Sequence, residues 1–98
     1  MRVWVYVPTV LRQYSAGERK VAVELDEPAT LGGVFAGLRV KAPGVVERAL
    51  DELGTIRPHV NVFVDGDSIR STGGLGLQTP VSANAEVWIL PAVSGGSA

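Results

Sequence analysis

Few side chains in this 98-residue chain are grouped in a way that would support catalysis. His59 is the single histidine, placed in Arg57-Pro58-His59 ahead of an extended segment. A general base needs an oriented nucleophile within reach; the spacing supplies none, so His59 reads as a loop or strand-start residue. One histidine with scattered carboxylates is also a poor metal set. Asp65 and Asp67 flank Gly66 but lack the ligand spacing and closing Glu of a calcium loop, and they read as part of a turn. Gly73-Gly74-Leu75-Gly76 lacks the Lys-Ser/Thr of a phosphate loop and opens no clear helix. It reads as a tight connection whose backbone takes positive φ. Arg70, just ahead of it, is a candidate contact for an anion or carboxylate. There is no cysteine, which removes disulfides, thiolate zinc sites, iron–sulfur clusters and thiol nucleophiles together.

Main-chain chemistry remains. The sequence ends Ser94-Gly95-Gly96-Ser97-Ala98, directly after the hydrophobic run Glu86–Ala92 and the link through Val93. A Gly pair near a terminus is by itself weak, since a loose end needs no reason. An extended chain advances at most about 3.3–3.6 Å per residue, so Val93 to Gly96 reaches about 13 Å beyond a domain. Two residues without Cβ pass a narrow channel that larger side chains would block. A carboxyl carried on Gly96 would then reach a partner's active site, and the chain would need no catalytic side chain of its own.

Composition is consistent with a single small domain. The chain is 46% hydrophobic and 19% charged, which suits a globular core rather than disorder. Nine Lys+Arg against ten Asp+Glu give a net charge of −1 and no basic excess for nucleic acid. No run approaches the roughly 20 apolar residues of a membrane span, and no targeting segment is visible, so a cytoplasmic protein is expected.

The elements that would position the tail follow from periodicity. Met1–Pro8 alternates, with Val3, Val5 and Val7 in one phase; Lys20–Leu25 alternates again and is expected to pair with it as a hairpin. At Thr30, a good N-cap, the period switches to Leu31, Val34, Phe35 and Leu38. Gly32, Gly33 and Gly37 each weaken that helix by about 1 kcal/mol unless small residues are needed against the sheet. Pro43 suits a second helical start, with Val46, Leu50 and Leu53 on one face and Gly54 as its stop. Val60–Val64 is a third strand, Asp65-Gly66 predicts a type I′ turn into Asp67–Arg70, and Glu86–Ala92 is the last strand. The expectation is α+β: a mixed sheet of four to five strands with one main helix on one face. Residues 1–92 form the domain and 93–98 a flexible tail.

Phase separates the aromatic residues. Trp4, Tyr6, Phe63 and Trp88 all fall opposite the aliphatic face. Such rings either cover a twisted sheet beneath a packed loop or form a partner surface. The second reading makes Trp4, Tyr6, Phe63 and Trp88, with Leu90 and Val93 leading into the tail, the partner-binding residues.

These features resemble a known family. The element order is similar to the ubiquitin-like β-grasp fold. Ile89-Leu90-Pro91-Ala92-Val93-Ser94-Gly95-Gly96 resembles the ending of the ThiS/MoaD-type sulfur carriers. Pro8-Thr9-Val10-Leu11-Arg12, Val60-Asn61-Val62-Phe63-Val64-Asp65 and Arg70-Ser71-Thr72-Gly73-Gly74-Leu75 resemble the CysO branch. The resemblance implies a carrier rather than an enzyme, with no cofactor or metal bound. A ubiquitin-activating-like partner would use ATP to adenylate the carboxyl of Gly96. A sulfur donor would convert it to a thiocarboxylate, and a synthase would accept the sulfur for cysteine or another metabolite. Because Ser97-Ala98 follow Gly96, a JAMM-type zinc peptidase is expected to remove them first; the plain alternative is an ordinary tail. The same ending also suits a ubiquitin-like modifier joined to other proteins through Gly96, the small subunit of a molybdopterin-synthase-like complex, or a β-grasp interaction domain with an incidental tail.

Overall fold

A computed structural model describes residues 1–71 and 74–91. Strand β1 (Arg2–Tyr6) pairs antiparallel with β2 (Lys20–Glu24), in the register Val3↔Val23 and Val5↔Val21. The alternation dictates which face is buried: Val3, Val5, Val7 and Val23 point inward. The hairpin connection is longer than a tight turn because a 3-10 segment, Thr9–Tyr14, occupies it.

After a two-residue strand β3 (Ala29–Thr30), helix α1 runs Leu31–Lys41 and lies over the inward face. Thr30 caps it as expected, its hydroxyl accepting from the Gly33 N–H at 3.4 Å. Leu31, Val34, Phe35 and Leu38 are all buried. Gly37 explains one of the helix's glycines: a Cβ there would stand 2.5 Å from Val23 Cγ1, so the helix approaches β2 only because that atom is missing.

Helix α2 (Pro43–Ala49) has the proline start, and Val45, Val46 and Ala49 fill the core with Leu50 just beyond. The expected apolar face does not continue to Leu53, which is 85% exposed. The helix stops at Ala49 because Leu50 turns extended and bridges Ile56, while Asp51 organises the following loop. Its Oδ1 accepts from the N–H groups of Leu53 and Thr55, and its Oδ2 from the Thr55 hydroxyl at 2.7 Å. Gly54 sits inside this loop at φ +83° instead of stopping the helix. Gly44 lets α2 meet the 3-10 segment, since a Cβ would fall 2.5 Å from the Tyr14 ring.

Strand β4 (Val60–Val64) turns at Asp65 (φ 49°) and Gly66 (φ 90°) into β5 (Asp67–Ser68). Two successive positive φ values are what a type I′ turn requires. β5 is shorter than the expected Asp67–Arg70, although the Ile69 N–H still donates to Val62 O. Gly74 and Gly76 take positive φ, as expected of the glycine-rich connection, and lead to β6 (Pro80–Val81). β6 and β3 form a small two-stranded sheet, and Thr79 O accepts from the Leu31 N–H, which ties this loop to the start of α1.

The last strand, β7 (Glu86–Pro91), is inserted between β1, to which it is parallel, and β4, to which it is antiparallel. The five-stranded order is β2-β1-β7-β4-β5. This is the expected mixed sheet, and β7, the last described element, is its central strand. Val93, Ser94, Gly95, Gly96, Ser97 and Ala98 lie outside the described residues.

Candidate functional site

With α1 covering one face of the sheet, the other face carries the out-of-phase residues of the same strands. The register aligns them in rows. Tyr6 stands beside Lys20 on one side and Trp88 on the other, Trp88 beside Phe63, and Phe63 beside Ser68. The next row toward the chain's exit places Leu90 beside Asn61, and Pro91 ends the strand opposite Val60. The partner-binding residues expected from the sequence within the described range, Trp4, Tyr6, Phe63, Trp88 and Leu90, therefore share one surface.

Its centre is an aromatic pair. The Tyr6 and Trp88 rings stack with centroids 4.2 Å apart and planes 4° from parallel. Parallel pairing sets this up, because it holds residues of like phase side by side. Trp88 and Leu90 remain 40% and 41% exposed, large values for apolar residues in a central strand. Trp4, Tyr6 and Phe63 are half-buried, and among the described residues no loop closes over the row.

Charges frame the rings. Lys20 Nζ lies 4.5 Å from the Trp4 centroid and 5.9 Å from that of Tyr6, and the Arg2 guanidinium lies 5.6 Å from Trp4 on another side. Arg2 also bonds Glu24, holding that carboxyl below its ordinary range. Among the described residues Arg70 does not meet a carboxylate. Its guanidinium donates to Asn61 Oδ1 at 3.3 Å and to Arg57 O at 3.1 Å, which fixes it beside the exit of β7. His59 is an exposed residue immediately before β4. The lysine over Trp4 and the arginine over Asn61 were not legible as parts of this surface from spacing alone. Each depends on which strands are neighbours.

Among the described residues no group of three or more His, Asp or Glu side chains gathers as a metal-binding set, and no helix is long and apolar enough to cross a membrane.

Known proteins resemble this chain in sequence and fold. The chain is 37% identical to the sulfur carrier protein CysO of Mycobacterium tuberculosis over 98 residues, covering 98% of this chain and all of the relative. It is 33% identical to small archaeal modifier protein 1 of Haloferax volcanii over 81 residues, 83% of this chain and 86% of that one. The crystal structure of the Amycolatopsis orientalis BexX/CysO complex contains a chain that superposes with a TM-score of 0.83 at 31% identity, covering 96% of this chain and 99% of that one. The model of the ThiS family matches residues 5–96, a span that begins in β1 and runs through both tail glycines. This chain belongs to the ThiS family and has the ubiquitin-like β-grasp fold of its sulfur-carrier relatives.

Proposed function

We propose that the protein carries sulfur as a thiocarboxylate on the carboxyl of Gly96. The observation that carries this reading is the family match through residue 96, joined to full-length similarity with a sulfur carrier. Peptide-bonded Gly96 has no free carboxyl, so the bond to Ser97 is hydrolysed first, by a JAMM-type zinc peptidase. A ubiquitin-activating-like enzyme then joins the carboxylate to AMP from ATP, releasing pyrophosphate. Activation is needed because a carboxylate is a poor electrophile. Sulfide from a donor displaces AMP and leaves the thiocarboxylate, which an accepting synthase consumes to make cysteine or another sulfur metabolite. The carrier needs no thiol, in keeping with its lack of cysteine.

The open face serves as the docking surface for these partners. Trp4, Tyr6, Phe63, Trp88, Leu90 and Val93 supply the contact, while Gly95 and Gly96 enter the active site. Docking by apolar and aromatic groups around a few central residues is the usual source of binding energy. The test is intact mass of the chain after reaction with the peptidase, the adenylating enzyme, ATP and a sulfide donor. The expected product has lost Ser97-Ala98 and exchanged one oxygen for sulfur. A full-length, unmodified chain in the presence of enzymes active on a related carrier would overturn the reading.

Similarity to an archaeal modifier protein favours a second reading, conjugation of Gly96 to lysines of other proteins. Both begin with adenylation. Higher-mass conjugates on a denaturing gel distinguish it.

A further inference from the structure

The net charge of −1 conceals a strong segregation of charge along the strands. At the end of the sheet from which β7 exits stand Arg12, Arg19, Lys20, Arg57 and Arg70. The backbone places each of them there. Arg19 O accepts from Val7 just past the Tyr6↔Lys20 pair, and Arg12 Nε donates to Val7 O. Arg57 lies just ahead of Val60, the partner of Pro91, and its carbonyl holds Arg70. Glu18 neighbours Arg19, Asp67 lies three residues before Arg70, and the Arg57 guanidinium turns to Glu47 O on the side of Asp51, so Lys20 and Arg70 are the cations placed on the open face itself.

The far end is the reverse. Glu24, Asp26, Glu27, Asp65, Asp67 and Glu86 gather where β2 ends and β7 begins. Glu24 stands opposite Arg2, Asp65 exchanges bonds with Glu86, and Asp67 stands opposite Val64. Arg2, bonded to Glu24, the N-terminal ammonium, bonded to Leu25 O, and Lys41, which bonds Ala22 O and acts on Glu24, are the cations there. Five residue steps along β7 separate the ends by about 17 Å. That is about twice the Debye length at physiological salt, so a partner senses each end separately.

We propose that the exit end of the open face is a receptor for an acidic protein surface, the rim of the channel that takes the tail. The aromatic row supplies contact energy, and apolar contact alone sets direction weakly. The charges give it direction, so that only one orientation of the domain puts cations on the acidic rim and the tail into the channel. Rim charges of this kind act mainly on encounter rate and on rejection of the wrong orientation. In naming the chemistry of the adenylating partner, the inference rests on the carrier reading above.

Two measurements test it. In the first, the adenylating enzyme is assayed with wild-type carrier, Lys20→Glu, Lys20→Glu/Arg70→Glu, and Asp26→Lys/Glu27→Lys, with thermal melts as fold controls. The exit-end variants are expected to lose about tenfold or more in kcat/KM at low salt, a loss that shrinks at high salt, while the far-end variant gains nothing. Equal rates for all variants, or rates that track net charge whichever end is altered, overturn the receptor. A wild-type chain that is never adenylated overturns the carrier reading instead. The second measurement needs no enzyme: a hexaglutamate peptide is titrated into the isolated chain and followed by amide and indole NMR. Shifts confined to Lys20, Arg70, Trp88 and their neighbours, and lost in Lys20→Glu/Arg70→Glu, support the receptor. Shifts elsewhere or none contradict it.

Discussion

Neighbouring residues of β1, β4 and β7 face opposite environments, and the two faces use the same backbone for different purposes. On the inner face Val3, Val5, Val62, Val87 and Ile89 are almost wholly buried under α1. On the outer face Tyr6, Phe63, Trp88 and Leu90 stay partly open, and nothing among the described residues covers them. The inner face consists of small β-branched and aliphatic groups, which pack densely. The outer face carries large rings, whose broad faces bind when a partner removes water from them. Loss on the first should therefore appear as unfolding, and loss on the second as failed docking by a folded domain.

The largest effect is expected inside. Phe35→Ala empties the centre of the α1 contact, where the ring is 2% exposed, and should cost about 3–5 kcal/mol, read as a fall in the urea midpoint. A cost similar to that of an outer-face substitution would break the distinction. Next is Trp88→Ala, which should weaken adenylation by an amount corresponding to about 2 kcal/mol while changing stability by less than about 1 kcal/mol. Unchanged activation kinetics would remove the outer face as a docking surface. Gly37→Ala opposes two effects. The helix gains about 1 kcal/mol of propensity, but the new Cβ meets Val23 Cγ1 at 2.5 Å, an overpacking cost of about 1–3 kcal/mol. Net destabilisation is expected, and in a Val23→Ala background the same change should become neutral or favourable.

The smallest effect concerns the loop after α2. Bonds from the Thr55 hydroxyl and from the N–H groups of Thr55 and Leu53 hold the Asp51 carboxyl below its ordinary range. A folded pKa below the unfolded one stabilises fully above the unfolded value and is lost as pH falls through the folded one. Asp51→Asn should therefore lower Tm modestly near pH 7, and the gap should close below about pH 4. A gap independent of pH would mean that the carboxylate charge does not stabilise the loop.

Both faces were legible in the sequence because strand phase alone separates Val3, Val5 and Val7 from Trp4 and Tyr6. The Thr30 cap and the Asp65-Gly66 turn were legible for the same local reason. The end of α2 was not. Leu53 fits the helical period, but Asp51 finds its partners within its own loop and ends the helix earlier, a competition that periodicity does not register. The Tyr6–Trp88 stack and the cation over Trp4 were also hidden. The stack requires β7 to lie beside β1, a pairing between residues about eighty positions apart, and the cation requires the exact register of the β1–β2 hairpin. Charge segregation was invisible for the same reason, since the sequence counts charges and the topology sorts them.

The absence of cysteine makes the central claim directly measurable. A thiol-selective alkylating reagent has no side chain in this protein to modify. After incubation with the peptidase, the adenylating enzyme, ATP and a sulfide donor, one label per chain is predicted, confined to the peptide that ends at Gly96. Absence of label on a chain whose adenylate has been trapped, or label at any other position, would contradict sulfur carriage by the Gly96 carboxyl.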